Sequence, residues 1–197
     1  MPRTEEAKQR IREEQRTHIL EAAKRVFARK GLAATVDDVA TEARVSHGLA
    51  YRYFANKEAI FYTLVKQALQ APSAELQRIR DMPGAPGERL KILVSAFVES
   101  RRHPESYLLL GQVLSSETAP DDLRELVCKR SQDLQDTLRQ LIIEGQETFE
   151  VAAGDPDQLV RAIFACVDGL TRWAVYDPER YHEHFPDADI FLRLLKP

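Results

Sequence analysis

Residues 46–57 bring hydroxyl, imidazole and cationic side chains together in one short segment. Ser46, Tyr51 and Tyr53 carry hydroxyl groups that can hydrogen-bond phosphate oxygens, and a tyrosine ring can also contact a thymine methyl group. Gly48 has no side chain, so the backbone around it can approach a large ligand closely. These residue types favour contact with a nucleic acid, provided that the local structure turns them to one side.

Two short helices are predicted to position this segment. Thr35 and Asp38 have the spacing of a capping box at the start of the first helix, and Ser46 is a good N-cap for a second helix that ends near Phe54. Ala40 suits the crossing point of the two helices. Val45 and Leu49 would then pack beneath, and the residues left facing outward are Ser46, His47, Gly48, Tyr51 and Arg52. This arrangement is typical of a helix-turn-helix, whose second helix enters the DNA major groove.

The rest of the chain has helical periodicity and no convincing strand pattern, which predicts an all-α fold. An apolar stripe that includes Ile19, Val26 and Phe27 predicts a first helix ending at Gly31. The helix starting near Asn56 is expected to end near Pro72, and residues 82–87 read as a linker. Further helices are predicted over about 87–102, 104–116, 120–147, 156–176 and 187–195.

Composition excludes several classes of protein. The 197 residues are 44% hydrophobic and 30% charged, the profile of a soluble globular protein, and we expect a cytoplasmic location with no membrane segment. Residues 1–57 carry a net charge of +4 and residues 58–197 a net charge of −7. Cys128 and Cys166 lie in apolar helical patterns, which favours buried free thiols. A basic N-terminal part on an acidic body is compatible with either a polyanion-binding module or a solvated helical surface.

The segment from Ile19 through Leu64 resembles the N-terminal domain of the TetR family of transcriptional repressors. The residues that carry the resemblance are Ile19–Ala23, Phe27–Gly31, Ala34–Ala40, Val45–Gly48 and Tyr51–Glu58. In the C-terminal half, Asp168–Leu170 followed by Tyr176–Pro178 is also similar to the family. The resemblance implies a DNA-binding domain over 1–56, a connecting helix over 57–71, and a ligand-binding and dimerisation domain over 72–197.

The resemblance also implies a role for each matched position. Thr35 would cap the second helix and touch phosphate, while Tyr53 and Lys57 would clamp backbone phosphates. The DNA-binding residues so expected are Thr35, Arg44, Ser46, His47, Gly48, Tyr51, Arg52, Tyr53 and Lys57. This chain departs from the family at two of them. Arg44 replaces the usual glycine of the turn, at a cost of about 1 kcal/mol or with a reshaped turn, and His47 replaces a frequent lysine, so that its charge depends on pH.

The C-terminal part mixes apolar residues with sparse polar groups, a pattern suited to a small-molecule cavity. The candidate ligand-binding residues are Phe97, Arg101, Tyr107, Leu110, Gln112, Leu138, Phe164, Asp168 and Trp173. The family mechanism implies that an effector in this cavity favours dimers whose two DNA-binding domains are wrongly spaced for the operator. The effector would act through the helix that joins the two domains.

A homodimer is expected because two DNA-binding domains must contact the two halves of a palindromic operator in double-stranded DNA. The helix over 156–176 is apolar on two sides, and one of them is predicted to face a second copy. The expected interface residues are Leu159, Ile163, Val167, Leu170, Ala174, Phe191, Leu194 and Leu195. Packing of both sides inside one chain is the alternative.

Other functions are less well supported. The chain has no nucleophile elbow, phosphate loop or spaced carboxylate pair, so we do not expect an enzyme. His182 and His184 have ligand chemistry but no zinc-site spacing, and we expect a polar loop there, with neither a metal nor a cofactor. A ligand-sequestering or protein-interaction module that has lost specific DNA binding remains the alternative, motivated by Arg44 and the modest charge.

Overall fold

The computed structural model describes residues 5–117 and 119–197, and for residues 70–73, 174, 175, 178 and 182 it describes the backbone alone. The described part is helical throughout its regular structure, which confirms the all-α fold. Its helices are α1 (Glu5–Lys30), α2 (Val36–Glu42), α3 (His47–Tyr53), α4 (Lys57–Asp81), α5 (Pro86–Arg102), α6 (Glu105–Ser115), α7 (Asp121–Glu147), α8 (Pro156–Tyr176), α9 (Pro178–His184) and α10 (Ala188–Leu192). Short 3-10 turns follow α1 at Gly31–Ala33 and α10 at Arg193–Leu195.

The chain divides into two compact units. The first comprises Met1–Ala68 and Glu105–Leu123, and the second comprises Leu69–Pro104 and Arg124–Pro197. Helix α4 therefore contributes residues to both units. Helix α6 belongs to the first unit, whereas the sequence predicted one continuous C-terminal domain.

The first unit is built around the apolar face of α1. Ile19 is fully buried, Phe27 is 1% exposed, and the ring of Phe27 lies 5.5 Å from that of Phe61 on α4. Gly31 ends α1 with a φ of +61°, a left-handed conformation that glycine adopts without steric cost. On α6, the side-chain amide of Gln112 donates to the carbonyl of Phe27 with an N···O distance of 2.8 Å. These contacts fix α6 against the end of α1.

The second unit has its own core. It contains buried residues from α4, α5, α7, α8, α9, α10, the C-terminal turn and the segments that follow α7 and α9: Leu76, Ile79, Leu90, Leu93, Val94, Phe97, Val98, Leu138, Leu141, Ile142, Val151, Val160, Ile163, Val167, Tyr181, Phe185, Phe191 and Leu195. Asp155 caps α8 through the backbone N–H groups of Asp157 and Gln158, and Pro156 takes the first helical position.

Two predicted boundaries are wrong. Helix α4 continues past Pro72 to Asp81, because Leu76 and Ile79 on its last turns are 6% and 0% exposed and burial outweighs the missing proline N–H. The segment containing His184 is helix α9 and not a loop. Asp177 caps it by accepting from the backbone N–H of Arg180, and burial of Tyr181 holds it to the core. The side chain of His182 lies outside the described residues.

Candidate nucleic-acid interface

Helix α2 begins at the capping box that the sequence predicted. The hydroxyl of Thr35 accepts from the backbone N–H of Asp38 at 3.1 Å, and the backbone N–H of Thr35 donates to Asp38 Oδ2 at 3.0 Å. Lys30 Nζ lies 2.7 Å from Asp38 Oδ1 and joins the end of α1 to this cap. The Lys30 ammonium and the Thr35 hydroxyl and N–H lower the pKa of Asp38 from 3.8 to about 2. The cap is therefore ionised at neutral pH and fixes the first turn of α2.

The turn between α2 and α3 is a Schellman motif with Arg44 in the glycine position. The backbone N–H of Val45 donates to the carbonyl of Ala40 at 3.0 Å, and that of Arg44 donates to Thr41 at 3.1 Å. Arg44 has a φ of 54°, which confirms the strained backbone predicted at this position. Its side chain is exposed and makes no hydrogen bond or ion pair within the described part of the chain.

Helix α3 presents two different faces. Ala50 and Phe54 are 0% and 4% exposed and hold the helix to the core, while Leu49 is half-buried. The hydroxyl of Ser46 accepts from the backbone N–H of Leu49 at 3.3 Å, as expected for an N-cap. The exposed side carries Ser46, His47, Gly48, Tyr51 and Arg52, and the side chain of Tyr51 is 51% exposed. The outward residues therefore lie where the sequence placed them.

Gly48 has no role in the packing of the first unit. A Cβ atom built at this position meets no atom within 4 Å, and its φ is not in the left-handed region. Glycine costs about 0.5–1 kcal/mol relative to alanine inside a helix. The stability of the fold gains nothing from glycine at this position. Because no side chain projects there, the backbone of α3 can be approached closely at that point.

His47 is held by the neighbouring helix. Its Nδ1 lies 2.9 Å from Asp37 Oδ1 in the first turn of α2, and both side chains remain more than half exposed. When Nδ1 carries the proton that Asp37 accepts, Nε2 is the ring nitrogen left for another partner. The sequence pattern did not reveal this contact, because Asp37 and His47 lie on different helices.

Tyr53 and Lys57 serve the fold as well as the surface. The hydroxyl of Tyr53 donates to Gln15 Oε1 at 2.8 Å, and Lys57 Nζ donates to the carbonyl of Leu32 at 2.8 Å. Both contacts connect the region around α3 to α1 or to the turn that follows it. An ammonium group has three donors, so Lys57 can bind a phosphate and keep this contact.

Part of the basic charge of the first unit is already neutralised. Arg25 and Arg29 on α1 lie 3.0 and 2.7 Å from the two carboxylate oxygens of Glu42 at the end of α2. These two guanidinium groups, with Arg29 the stronger influence, lower the pKa of Glu42. His18 Nε2 lies 2.8 Å from the carbonyl of Ala43. These contacts lock α1 to the helix pair, so Arg25, Arg29 and Lys30 support the site and are not its free cations.

The candidate ligand residues fall in both units. Tyr107, Leu110 and Gln112 lie on α6 in the first unit, whereas Phe97, Arg101, Leu138, Phe164, Asp168 and Trp173 lie in the second. Leu138 is 2% exposed within the core, so it offers a ligand no surface. Trp173 is 63% exposed and borders a surface concavity of about 460 Å³ together with Leu170, Tyr181 and Phe185.

The predicted dimer stripe is wrong at four positions. Ile163, Val167, Phe191 and Leu195 are 0–3% exposed within a single chain, so they cannot meet a second copy. Leu159 and Leu170 are partly buried against the same core. Leu194 is 50% exposed, and the side chain of Ala174 lies outside the described residues. The exposed side of α8 is a different one, and its described exposed residues from position 161 onward are Arg161, Ala162, Ala165, Cys166, Gly169, Arg172, Trp173 and Tyr176.

The remaining expectations concern cysteines, metals and membranes. Cys128 and Cys166 are both free and exposed, so the expectation of buried thiols is wrong. Within the described residues, no cluster of three or more histidine, cysteine, aspartate or glutamate side chains is arranged to hold a metal ion. None of the described helices combines the length and the apolar character that a membrane span requires.

Comparison with known proteins agrees with a helix-turn-helix transcriptional regulator. Residues 19–63 match the model for bacterial regulatory proteins of the tetR family, and residues 83–179 match that for the tetracyclin repressor-like C-terminal domain. The chain belongs to the TetR family of DNA-binding transcriptional regulators.

Similar proteins include two curated regulators. The HTH-type transcriptional regulator HbdR of Aromatoleum sp. strain CIB is 36% identical over 86 residues, which is 43% of this chain and 38% of that protein. The HTH-type transcriptional repressor KstR2 of Mycolicibacterium smegmatis is 31% identical over 98 residues, 49% of this chain and 48% of that protein. The alignments thus span less than half of each relative. A solved structure of the ketosteroid transcriptional regulator KstR2 of Mycobacterium tuberculosis superposes with a TM-score of 0.73 at 25% identity, covering 92% of this chain and 95% of that one.

Proposed function

We propose that this protein is a homodimeric, ligand-responsive repressor that binds a palindromic operator and leaves it when a small-molecule effector binds. The observation that carries the proposal is the outward face of α3, where Ser46, His47, Gly48 and Tyr51 are exposed together on a helix anchored by buried Ala50. Family membership supports DNA binding. The palindromic operator, the small-molecule effector and the homodimer are the parts that we propose beyond it.

Each residue of this face has a chemical role in the proposal. Tyr51 and Nε2 of His47 contact base edges, while the open space at Gly48 admits the duplex. Arg44, Arg52, Tyr53, Lys57 and Thr35 contact backbone phosphates and set the register of the helix in the groove. Arg44 is well suited to this role, because its guanidinium is exposed and has no hydrogen-bond or ion-pair partner in the described structure.

The proposed dimer uses the exposed side of α8. Small residues at positions 162, 165, 166 and 169 permit close approach of a second helix, and Trp173 and Tyr176 are 63% and 84% exposed at its end. Large exposed aromatic groups of this kind mark interaction surfaces. Ile190 and Leu194, each 50% exposed near the C-terminus, are proposed to extend the interface.

The effector is proposed to act from the second unit, where most candidate ligand residues lie. Binding there favours one arrangement of the dimer over another, and a ligand shifts that equilibrium only by its difference in affinity for the two. Helix α4 supplies residues to both units and is the proposed mechanical link.

Selection of the purified protein on random duplex DNA at about physiological salt, followed by sequencing, tests the proposal. We expect enrichment of an inverted repeat. Tyr51→Ala should cost about 1–3 kcal/mol of binding to the enriched site and leave the fold intact. Leu126→Ala, which alters an exposed apolar side chain on α7, is the control and should bind normally.

The possible failures differ in meaning. Enrichment of a single half-site would contradict the dimeric operator but keep DNA recognition. No enrichment at any salt concentration would favour the ligand-sequestering or protein-interaction module instead. Unchanged affinity of Tyr51→Ala would show that α3 is not the base-reading element.

A further inference from the structure

Three cationic side chains share one side of the first part of α1. Lys8, Arg12 and Arg16 are spaced four residues apart, so they lie one above another on the helix and span about 12 Å along its axis. We call these three residues the basic stripe. A row of like charges on one side of a helix is suited to a partner that carries the opposite charge at regular intervals.

The basic stripe continues the side of α1 that packs into the first unit. Ile19 and Ala23 follow Arg12 and Arg16 on that side at helical spacing, and both are fully buried. Residues 12–15 are exposed and Arg16 is half-buried, so the packed part of this side ends there. The same side of α1 is therefore apolar where the first unit covers it and cationic where the helix extends further.

Two contacts place the basic stripe beside the end of α3, within the first unit. The hydroxyl of Tyr53 donates to Gln15 Oε1 at 2.8 Å, and the guanidinium carbon of Arg16 lies 5.4 Å from the centre of the Phe54 ring. Tyr53 is the last residue of α3, and it is one of the residues proposed above to contact backbone phosphates. The stripe thus begins next to the proposed DNA-binding surface.

The cations of the stripe are available to a new partner. Arg12 is exposed and makes no hydrogen bond or ion pair within the described part of the chain. Arg16 contacts an aromatic ring and not a hydrogen-bond acceptor, so it keeps N–H donors for an anion. Lys8 lies 2.6 Å from Glu5, but their side chains are 58% and 87% exposed, and ion pairs at such positions are weak. The cations near the end of α1, in contrast, are already paired with carboxylates of α2.

We propose that Lys8, Arg12 and Arg16 bind phosphates of the duplex beside those contacted through Tyr53, so that α1 is a second DNA-binding element outside the major groove. The partner is the sugar-phosphate backbone, which is recognised by its charge and not by its sequence. This inference deepens the proposed function and rests on it for the position of the duplex. The match to the family begins at residue 19, so the stripe lies outside the matched segment. A solvated side of the helix without a partner is the alternative.

The dependence of DNA affinity on salt concentration tests the proposal with two duplexes. One carries the inverted repeat enriched from random DNA, and the other has the same length and an unrelated sequence. Each phosphate contact that is lost lowers the slope of log affinity against log salt concentration by about 0.9. Arg12→Gln should therefore lower this slope by about one for each bound chain and weaken binding about three- to ten-fold at about 0.1 M salt, on both duplexes. Arg12→Lys should keep most of the slope and the affinity.

Arg10→Gln is the matched control. It removes the same charge from the same part of α1 but on the opposite side of the helix, where Arg10 lies 3.7 Å from Glu14. Glutamine has nearly the helix propensity of arginine, so neither variant should lose helix. The slope and the affinity of Arg10→Gln should stay near those of the wild type. Equal losses in the Arg10 and Arg12 variants would show that the net charge alone matters and would overturn the proposal.

Arg16 needs a second readout, because its guanidinium also contacts Phe54. Arg16→Gln should lower the slope on both duplexes, whereas Arg16→Lys keeps a charge at the same place and should keep the slope even where the thermal midpoint falls. A lowered midpoint together with an unchanged slope in Arg16→Gln would assign this residue to the fold and remove it from the stripe.

The outcomes separate this inference from the proposed function. An unchanged slope in Arg12→Gln, with normal binding by the wild type, would remove the stripe and leave the proposed repressor standing. If the selection enriches no repeat, the proposed operator fails, while the unrelated duplex at low salt still tests the stripe. A slope on that duplex that depends on Arg12 would keep the stripe as a DNA-binding element. Failure of the wild type to bind either duplex at any salt concentration would overturn it.

Discussion

At the scale of single residues, Arg44 occupies a backbone conformation that suits glycine. A non-glycine residue in the left-handed region costs about 1–2 kcal/mol, and glycine in turn costs about 0.5–1 kcal/mol through the unfolded chain. Arg44→Gly should therefore stabilise the protein by about 0.5–1 kcal/mol in urea unfolding. It should also weaken DNA binding, because a cation at the proposed interface is lost.

Arg52→Gly provides the contrast, since Arg52 lies within helix α3. That variant should lose about 1 kcal/mol of stability. A destabilised Arg44→Gly protein would mean that the arginine side chain stabilises the turn by more free energy than the strained backbone costs. An unchanged operator affinity would remove Arg44 from the phosphate contacts.

Gly48 offers a second separation of fold from function. Gly48→Ala should raise the free energy of unfolding by up to about 1 kcal/mol, since the added Cβ meets no neighbour and alanine favours a helix. The same Cβ should weaken operator binding by occupying space between α3 and the duplex. Gly111→Ala on α6 is the matched control, because its Cβ also meets no atom within 4 Å. It should gain similar stability with DNA affinity unchanged, and an equal loss in both variants would contradict the assigned role of Gly48.

At the scale of elements, the cap of α2 ties stability to pH. The pKa of Asp38 is lowered to about 2 in the folded protein from an ordinary value of 3.8. The ionised carboxylate therefore stabilises the folded state above about pH 4, and this contribution is lost as pH falls toward 2. Asp38→Asn should lower the urea midpoint at pH 7. The difference in urea midpoint between this variant and the wild type should become smaller below pH 4.

The control for this titration is Glu21→Gln, which alters an exposed carboxylate on α1. Its gap to wild type should stay small at every pH. A gap for Asp38→Asn that remained constant down to pH 2.5 would show that the charge of Asp38 does not hold the cap.

Local signals predicted most of the elements. Capping residues and a proline at the first position placed the starts of α2, α3 and α8, since these features act within one turn. The same signals at Asp177 and Pro178 mark α9 but were outweighed by its polar composition. The length of α4 depends on burial of Ile79 in the second unit, which is a long-range effect that no local pattern carries.

At the scale of the whole molecule, periodicity identified α8 as apolar on two sides but did not predict which side stays exposed in a single chain. The larger residues Ile163 and Val167 fill the core of one chain, and the small residues around Gly169 are left exposed. In the proposed dimer, the volume of the side chains and not their hydrophobicity alone decides which side pairs, because a protomer core needs large side chains and close helix pairing needs small ones.

Gly169→Glu tests the proposed dimer. A Cβ atom built at this position meets no atom within 4 Å in the single chain, so the protomer should fold, while the bulk and charge of glutamate should prevent close pairing of α8. Light scattering should give the mass of two chains for wild type and one for the variant. Gly111→Glu, at an equally open position, should remain dimeric. A mass of two chains in Gly169→Glu would exclude this side of α8 from the interface.

The single tryptophan of the chain, Trp173, stands on that same side of α8 with 63% of its surface exposed. Indole fluorescence shifts to shorter wavelength when water around the ring is replaced by protein. The protein thus carries an intrinsic optical signal, confined to one place, that would report the proposed pairing of α8 without any added label.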